Sequence, residues 1–469
     1  MRSPDRPTVA RLSLRSLSAQ FALPAGTVVL GPEEADPLPD VQLALSEALA
    51  APIGSQALSA ICAGRLEENE NASAVIVVSD NTRPVPYTGP SGILWPIVRE
   101  LIQAGFSPAN ITVLVASGTH RPPTAGEMES MFDERVMHSG VRIQCHDAFD
   151  PGSLDRVGRT SGDIDVLMNR VYADADLKIL TGLVESHFMA GTSGGRKSIC
   201  PGLLGISSIR EFHGPKVLAD PLAKDLNLAG NPCHELALEI ARMVPADFIV
   251  NVTARDDGGV VGVFAGEMEQ THIAASEYAR SFAEFPFQRE YDVVVTHAGA
   301  VGVNHYQACK AASVAAKVMK EGGHVIVVAD TPGPHNIGSE CYRALMVLLK
   351  SIGPDAFERL IQSPDWTFVP DQWQVQMWAR IFRRIPSANF LYFSPQTSLQ
   401  DYCALPCADI GDLRASLGGL DPAQQVGAFI EQAVKLACRE SLSCAGARPT
   451  VAYLPAGPSG IPAKKDETD

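Results

Sequence analysis

Short runs of β-branched residues recur along the chain, and a polar loop follows almost every one. AVIVVSD (74–80), ITVLVASG (111–118), DLKILTGLVESH (176–187) and DFIVNVTARD (247–256) are such runs. Runs of this length and composition read as buried parallel strands. ILWPIVRELIQAG (93–105) is apolar at helical spacing and stops at Gly105, the usual residue just past a helix. Strands alternating with helices define an α/β sheet. A second unit of the same kind starts near 290. YDVVVTHAG (291–299) and HVIVVAD (324–330) read as its strands, and HYQACKAASVAAKVMKEGG (305–323) as a helix stopped by two glycines. Further helices are expected over about 339–351, 373–384 and 422–440, with strands at 388–394 and 450–458. RSFAEFPFQREYD (280–292) is expected to hold the hinge. The predicted fold class is therefore α/β, with two α/β domains and mainly parallel sheets. The expected boundaries are an N-terminal domain 1–282, to which 446–462 returns, a C-terminal domain 288–445, and a disordered tail 463–469.

A chain of 469 residues can bury two or three cores. Its formal net charge of -15 argues against nucleic acid or an anionic membrane as a main partner. No apolar run approaches the ~20 residues needed to span a bilayer. The N-terminus, MRSPDRPTVARLSLRSLSAQF, is rich in Arg and Ser but has no apolar core, so it is not a secretory signal. It reads as a frayed terminus, with a transit peptide as the alternative. Ten cysteines without a C-x-x-C pair read as reduced thiols of a cytoplasmic protein. The Cys403/Cys407 spacing is a poor metal motif. No internal repeat is visible.

Polar residues gather where the strands end, and open α/β sheets bind ligands beyond those ends. The first strand runs into 79-SDNTRPVP-86, the second into 116-ASGTHRPPT-124, the third into 185-ESHFMAGTSGGRKS-198, and the second domain's first strand toward 304-NHYQACK-310. Asp80 and Arg83 alone would pass for a turn pair, and a lone loop histidine for a surface residue. Four strand-end loops that together supply two histidines, a lysine, an arginine and an aspartate are the pattern of one active site. Gly191 to Ser198 nearly spells a phosphate-binding P-loop, but Arg196 stands where that loop requires glycine. The spacing of a dinucleotide fingerprint is absent as well.

The segments SDNTRP, ASGTHRPPT, SHFMAGTSGGRKSICPG, HYQACK and VAYLPAGPSGIP resemble the nickel-pincer lactate racemase family, over about residues 25–462. The resemblance implies an active site in the cleft between two α/β domains. It also implies a nickel-pincer nucleotide, a pyridinium-3-thioamide-5-thiocarboxylic acid mononucleotide that holds Ni(II). By the same resemblance Lys197 is the covalent anchor, His213 the nickel ligand, and His120 and His187 the catalytic acid–base pair. Asp80, Thr82, Ser193, Gly194 and Gly195 fall at cofactor-contacting positions. Arg83, Tyr306, Gln307, Lys310 and Trp373 fall at substrate-contacting ones. The implied partners are a small 2-hydroxy acid and separate cofactor-maturation proteins, and assembly into an oligomer is compatible with the sequence. An imidazole can act as acid or base near neutral pH, and the planar Arg fork suits a carboxylate. The loop 296-THAGAVGVNHYQ-307 departs from the lactate-type pattern, and its small residues leave room for a substrate larger than lactate. Two rival readings stand beside this one: a P-loop-like phosphotransferase, against which Arg196 speaks, and a cofactor carrier without catalysis, which would need Lys197 and His213 but not both other histidines.

Overall fold

The β-branched runs do form strands, and hydrophobic packing explains their order. Leu177–Leu183, Ala74–Ser79 and Ile111–Ala116 lie side by side and parallel at the centre of a six-stranded sheet. Phe248–Ala254 and the antiparallel Val260–Gly266 extend it on one side, and Arg142–Cys145 on the other. Ile76, Val78, Val113, Ile179 and Val250 are fully buried from these strands, as central parallel strands require. Helix Leu94–Ala104 buries Leu94, Ile97, Val98 and Leu101, the spacing of one helical face. It ends where Gly105 turns to φ 114°.

The structure is a computed structural model, and it describes residues 7–445 and 448–465. The chain divides into two compact units, 34–282 and 1–33 with 283–469. The second unit carries a five-stranded, all-parallel sheet in the order Phe390–Phe393, Met319–Val328, Tyr291–His297, Val451–Tyr453, Val28–Val29. Both units are thus α/β with mainly parallel sheets. Among the described residues no helix is long and apolar enough to cross a membrane.

Several expectations are corrected. Segment 446–462 does not return to the N-terminal domain: Val451–Tyr453 pairs with Tyr291–His297 in the other unit. The first 33 residues belong to that unit too. Thr8–Ser13 is not frayed but forms an antiparallel hairpin with Ser18–Leu23. Alternation decides this, with Ala10, Leu12, Ala19, Phe21 and Leu23 turned inward. Helix His305–Val318 stops before its two glycines. Strand Met319–Val328 takes over, and the glycines fall in the stretch where its pairing with Tyr291–His297 slips register, the usual place of glycine in a bulge. The unit boundary falls within the expected hinge, and the same stretch contributes Glu284–Phe287, which pairs with Ile461–Lys464. Ala463 and Lys464 are therefore strand residues rather than tail. Residues 466–469 lie outside the described residues.

Candidate active site

The loops beyond the three central strands of the six-stranded sheet are tied to one another by their own side chains. Asp80 follows the first strand and is buried, 3% exposed. Its carboxylate accepts from Thr82 Oγ1 at 2.6 Å and from the Thr82 amide at 3.1 Å. Its other oxygen lies 2.7 Å from Nδ1 of His120, on the loop after the second strand. Burial alone would raise the Asp80 carboxyl, but the bonds from His120 and Thr82 outweigh it and hold it below the ordinary carboxylate range. Asp80 is thus an anion that grips one edge of the His120 ring. The His120 loop is fixed from outside as well: Arg121 forks onto Glu127, which caps helix Ala125–Met131 and accepts from Asn81.

Arg83 donates to Glu185 Oε1 at 2.8 Å. Glu185 stands just past the third strand, and its backbone exchanges bonds with Ser193: the Glu185 amide to Ser193 Oγ at 3.0 Å, the Ser193 amide to the Glu185 carbonyl at 2.9 Å. His187 sits in a small hairpin in which Ser186 pairs with Thr192 and His187 with Gly191. The tight turn between them points the amides of Met189 and Ala190 at Nδ1 of His187, at 3.3 and 3.2 Å.

The glycine turn then leads into a short 3-10 helix, Gly195–Ser198, which carries Lys197. Gly194 and Gly195 have φ of 72° and 50°, a region that favours glycine. A Cβ on Gly194 would meet Val184 at 2.6 Å, and one on Gly195 would meet the His272 ring at 2.5 Å. Both directions lead into the protein. Packing by itself requires glycine at both positions. Ser193 spends its hydroxyl on the Leu183 carbonyl, and Thr82 spends its own on Asp80. Arg196 is buried and donates to the carbonyls of Ala190, Thr192 and Gly194 and toward His272. Burial pushes its guanidinium down to about 9. It staples the turn shut, and no phosphate-facing role remains for it.

His213 is the first residue past helix Ile206–Phe212. Burial, then the charges of Lys197 and His120, push its imidazole down to about 3. The ring is neutral at ordinary pH, the form a metal ligand needs. A lysine and a neutral imidazole are the residue types that fit a covalently anchored, metal-bearing group at Lys197 and His213. Among the described residues no group of three or more His, Cys, Asp or Glu could hold a metal ion.

Tyr306, Gln307, Lys310 and Trp373 lie in the other unit. The first three occupy the opening turns of helix His305–Val318, where Asn304 caps the Gln307 amide. Trp373 Nε1 donates to the Tyr306 hydroxyl at 2.9 Å, and its ring stacks on Phe368. Sequence reasoning missed Glu185, Asn251 and His272. Glu185 could have been found from its place two residues before His187 at a strand end. Asn251, which accepts from the Gly195 amide at 3.0 Å, could have been found as the one amide inside a β-branched strand.

Fold and site define a two-unit α/β enzyme whose polar centre is built from strand-end loops. The lactate racemase N-terminal domain matches residues 16–225 and the lactate racemase C-terminal domain residues 288–394. The lactate racemase of Lactiplantibacillus plantarum is 34% identical over 343 residues, 72% of this chain and 77% of that protein. That of Thermoanaerobacterium thermosaccharolyticum is 29% identical over 377 residues, 78% of this chain and 83% of that protein. The structure of the T. thermosaccharolyticum lactate racemase apoprotein superposes with a TM-score of 0.81 at 24% identity, covering 97% of this chain and 100% of that one. A Thermotoga maritima protein shares the fold at a TM-score of 0.60 and 17% identity, over 88% of this chain and 99% of that one. The chain belongs to the lactate racemase family, and it is an isomerase.

Proposed function

We propose that the chain inverts C2 of a 2-hydroxy acid through a 2-keto acid, with a nickel-pincer nucleotide anchored on Lys197 and its nickel held by His213. The observation that carries this reading is the pair of links Asp80–His120 and Arg83–Glu185, which tie together the three strand-end loops that carry His120, His187 and Lys197. When bound, such a cofactor supplies an electron-poor pyridinium that accepts and returns a hydride. The rest of the work falls to this chain's own side chains. Removing the C2 proton directly is hard because the C–H bond is weakly acidic. Taking the hydroxyl proton needs only an imidazole at the oxygen, and His120 and His187 are suited to it. Arg83, held by Glu185 before substrate arrives, would turn its planar fork to the carboxylate. Lys310, Gln307, Tyr306 and Trp373 would complete the substrate contacts, and Asp80 supports the site through His120. The small residues of 296–303 favour an acid larger than lactate. The phosphotransferase alternative loses its footing with Arg196 turned inward.

The test is the protein produced together with the family's cofactor-maturation proteins. Peptide mass spectrometry should find a nucleotide-sized adduct on the peptide carrying Lys197, with near-stoichiometric nickel, and chiral analysis should find inversion of at least one 2-hydroxy acid. An unmodified Lys197 without nickel in matured protein would refute the assignment. An adduct without turnover of any 2-hydroxy acid would favour a carrier.

A further inference from the structure

In the unit with the five-stranded sheet, three cations line one cavity and no carboxylate does. The cavity holds about 330 Å³, within the range of small-molecule sites. Lys435 and Arg439 stand four residues apart on helix Pro422–Ala445, so they share one face of it. Arg448 joins them from the segment that leads into strand Val451–Tyr453, and it donates to the Ala25 carbonyl at 3.2 Å. The turn Pro24–Thr27 completes the lining, with Gly26 at φ 85° and open space where its Cβ would stand. All three cations are exposed, and among the described residues none has an ion-pair partner. Neighbouring carboxylates are engaged elsewhere: Asp292 by Lys320 and Thr450, Glu431 by the Ala22 amide, and Glu440 by His324. The helix dipole does not account for the cations, because its reach is the last turn and Lys435 and Arg439 lie before it. Burial, then the charge of Asp292, holds the Cys438 thiol above its ordinary range against the pull of Arg448, so this lining residue is uncharged too.

We propose that this cavity binds a compact polyanion, one with clustered phosphate or carboxylate oxygens, through Lys435, Arg439 and Arg448. Nothing in the racemase reading requires it, and it lies in the unit without Lys197. Three positive charges with no protein counter-charge call for more than the single charge of a 2-hydroxy acid. A guanidinium fork matches two oxygens of one phosphate or carboxylate, and Arg448 spends only one of its N–H groups on Ala25. The bound anion joins the helix to both segments that enter the sheet edge. There Val28–Val29 pairs with Val451–Tyr453, and the Leu30 amide donates to the Tyr453 carbonyl at 2.9 Å. A ligand that binds only the assembled edge holds it closed and slows its local opening.

Isothermal titration of the unloaded full chain with inorganic pyrophosphate, citrate and lactate tests the site. Pyrophosphate or citrate should bind saturably and more weakly as salt is raised, and the tighter of the two tells phosphate from polycarboxylate. The double variant Lys435→Gln, Arg439→Gln should weaken that probe about five- to thirtyfold, the worth of two partly exposed ion pairs. Both side chains are exposed, so its unliganded thermal midpoint should stay at the wild-type value. Lys197→Ala should bind the probe as wild type does, which separates this cavity from the strand-end loops. Lactate should show no binding that the double variant removes. Hydrogen exchange at Leu30 should slow when the probe is added to wild type and stay unchanged in the double variant. The proposal is overturned if neither polyanion binds saturably at millimolar concentration. It is overturned equally if binding survives the double variant but disappears in Lys197→Ala, or if lactate matches the polyanions at these residues.

Discussion

His305 opens the helix that carries Tyr306, Gln307 and Lys310, and its ring is a buried anchor for that turn. It is 1% exposed, stacks on Trp378 at 4.6 Å, and accepts from the Tyr342 hydroxyl at 2.8 Å. The Tyr342 hydroxyl in turn accepts from Trp378 Nε1, and burial holds it protonated well above its ordinary range. Burial pushes the His305 imidazole from 6.5 to about 3, which makes protonation in the fold costlier than in the open chain by roughly 5 kcal/mol. The unfolded chain gains this proton as pH falls below 6.5, while the fold takes it up only near 3. Stability therefore falls with pH across that window, by roughly 1.4 kcal/mol per pH unit. Between about pH 7 and about pH 4.5 the loss from this residue is about 2.5 kcal/mol. His305→Asn keeps an acceptor for Tyr342 but cannot titrate. Urea unfolding of both proteins at the two pH values isolates the term, because the packing lost with the imidazole is the same at each. Wild type should lose about 2.5 kcal/mol more than the variant between them. Equal losses would refute the reasoning and show that the first turn opens to admit the proton.

Other outcomes follow from the site. Lys197→Ala should carry no covalent cofactor by intact mass and show no turnover; retained activity would move the anchor elsewhere. Gly195→Ala forces a side chain onto the His272 ring at φ 50°, and should destabilise the unit by about 2–4 kcal/mol in thermal or urea unfolding. Glu185→Gln removes the carboxylate that holds Arg83 in a partly exposed pair. Such pairs contribute ~1 kcal/mol or less, so KM should rise up to about fivefold with kcat little changed; an unchanged KM would mean that Arg83 needs no holding.

The parts legible in the sequence are those governed by local rules. A β-branched run such as AVIVVS has few structures open to it, and the polar loops that follow such runs mark the site because parallel strands end together. The helix over 94–104 shows its face and its glycine stop in the same way. Pairing between distant segments was not legible. Nothing in VAYLPAGP says that Val451–Tyr453 will lie between Tyr291–His297 and Val28–Val29, because the order of parallel strands carries no local mark. The N-terminal hairpin was hidden differently: its arginines and serines suggested a loose terminus, while alternate residues carried its apolar face. At the site, residue types were legible but partners were not. Nothing in the sequence says that Asp80 stands 2.7 Å from His120, or that a Cβ on Gly195 would meet His272, because both contacts join segments distant in the chain.

The unit with the five-stranded sheet is built from two distant stretches of chain, with Val28–Val29 beside Val451–Tyr453. Residues 34–282 are therefore an insertion: the polypeptide leaves that unit once and re-enters it once. A ribosome that has finished the insertion has made everything the six-stranded sheet needs, whereas Val28–Val29 still waits for a neighbour more than 400 residues downstream. Closing so long a loop is entropically slow rather than prohibitive. The half of the molecule with Lys197 and the three site histidines can thus assemble on the nascent chain, while the half with Tyr306 and Lys310 is completed only after synthesis passes Tyr453. Loss of a few residues around 451–453 would leave strand Val28–Val29 without its neighbour and Phe21 of the early hairpin without the Tyr453 ring it packs on, so damage there would be felt near residue 20.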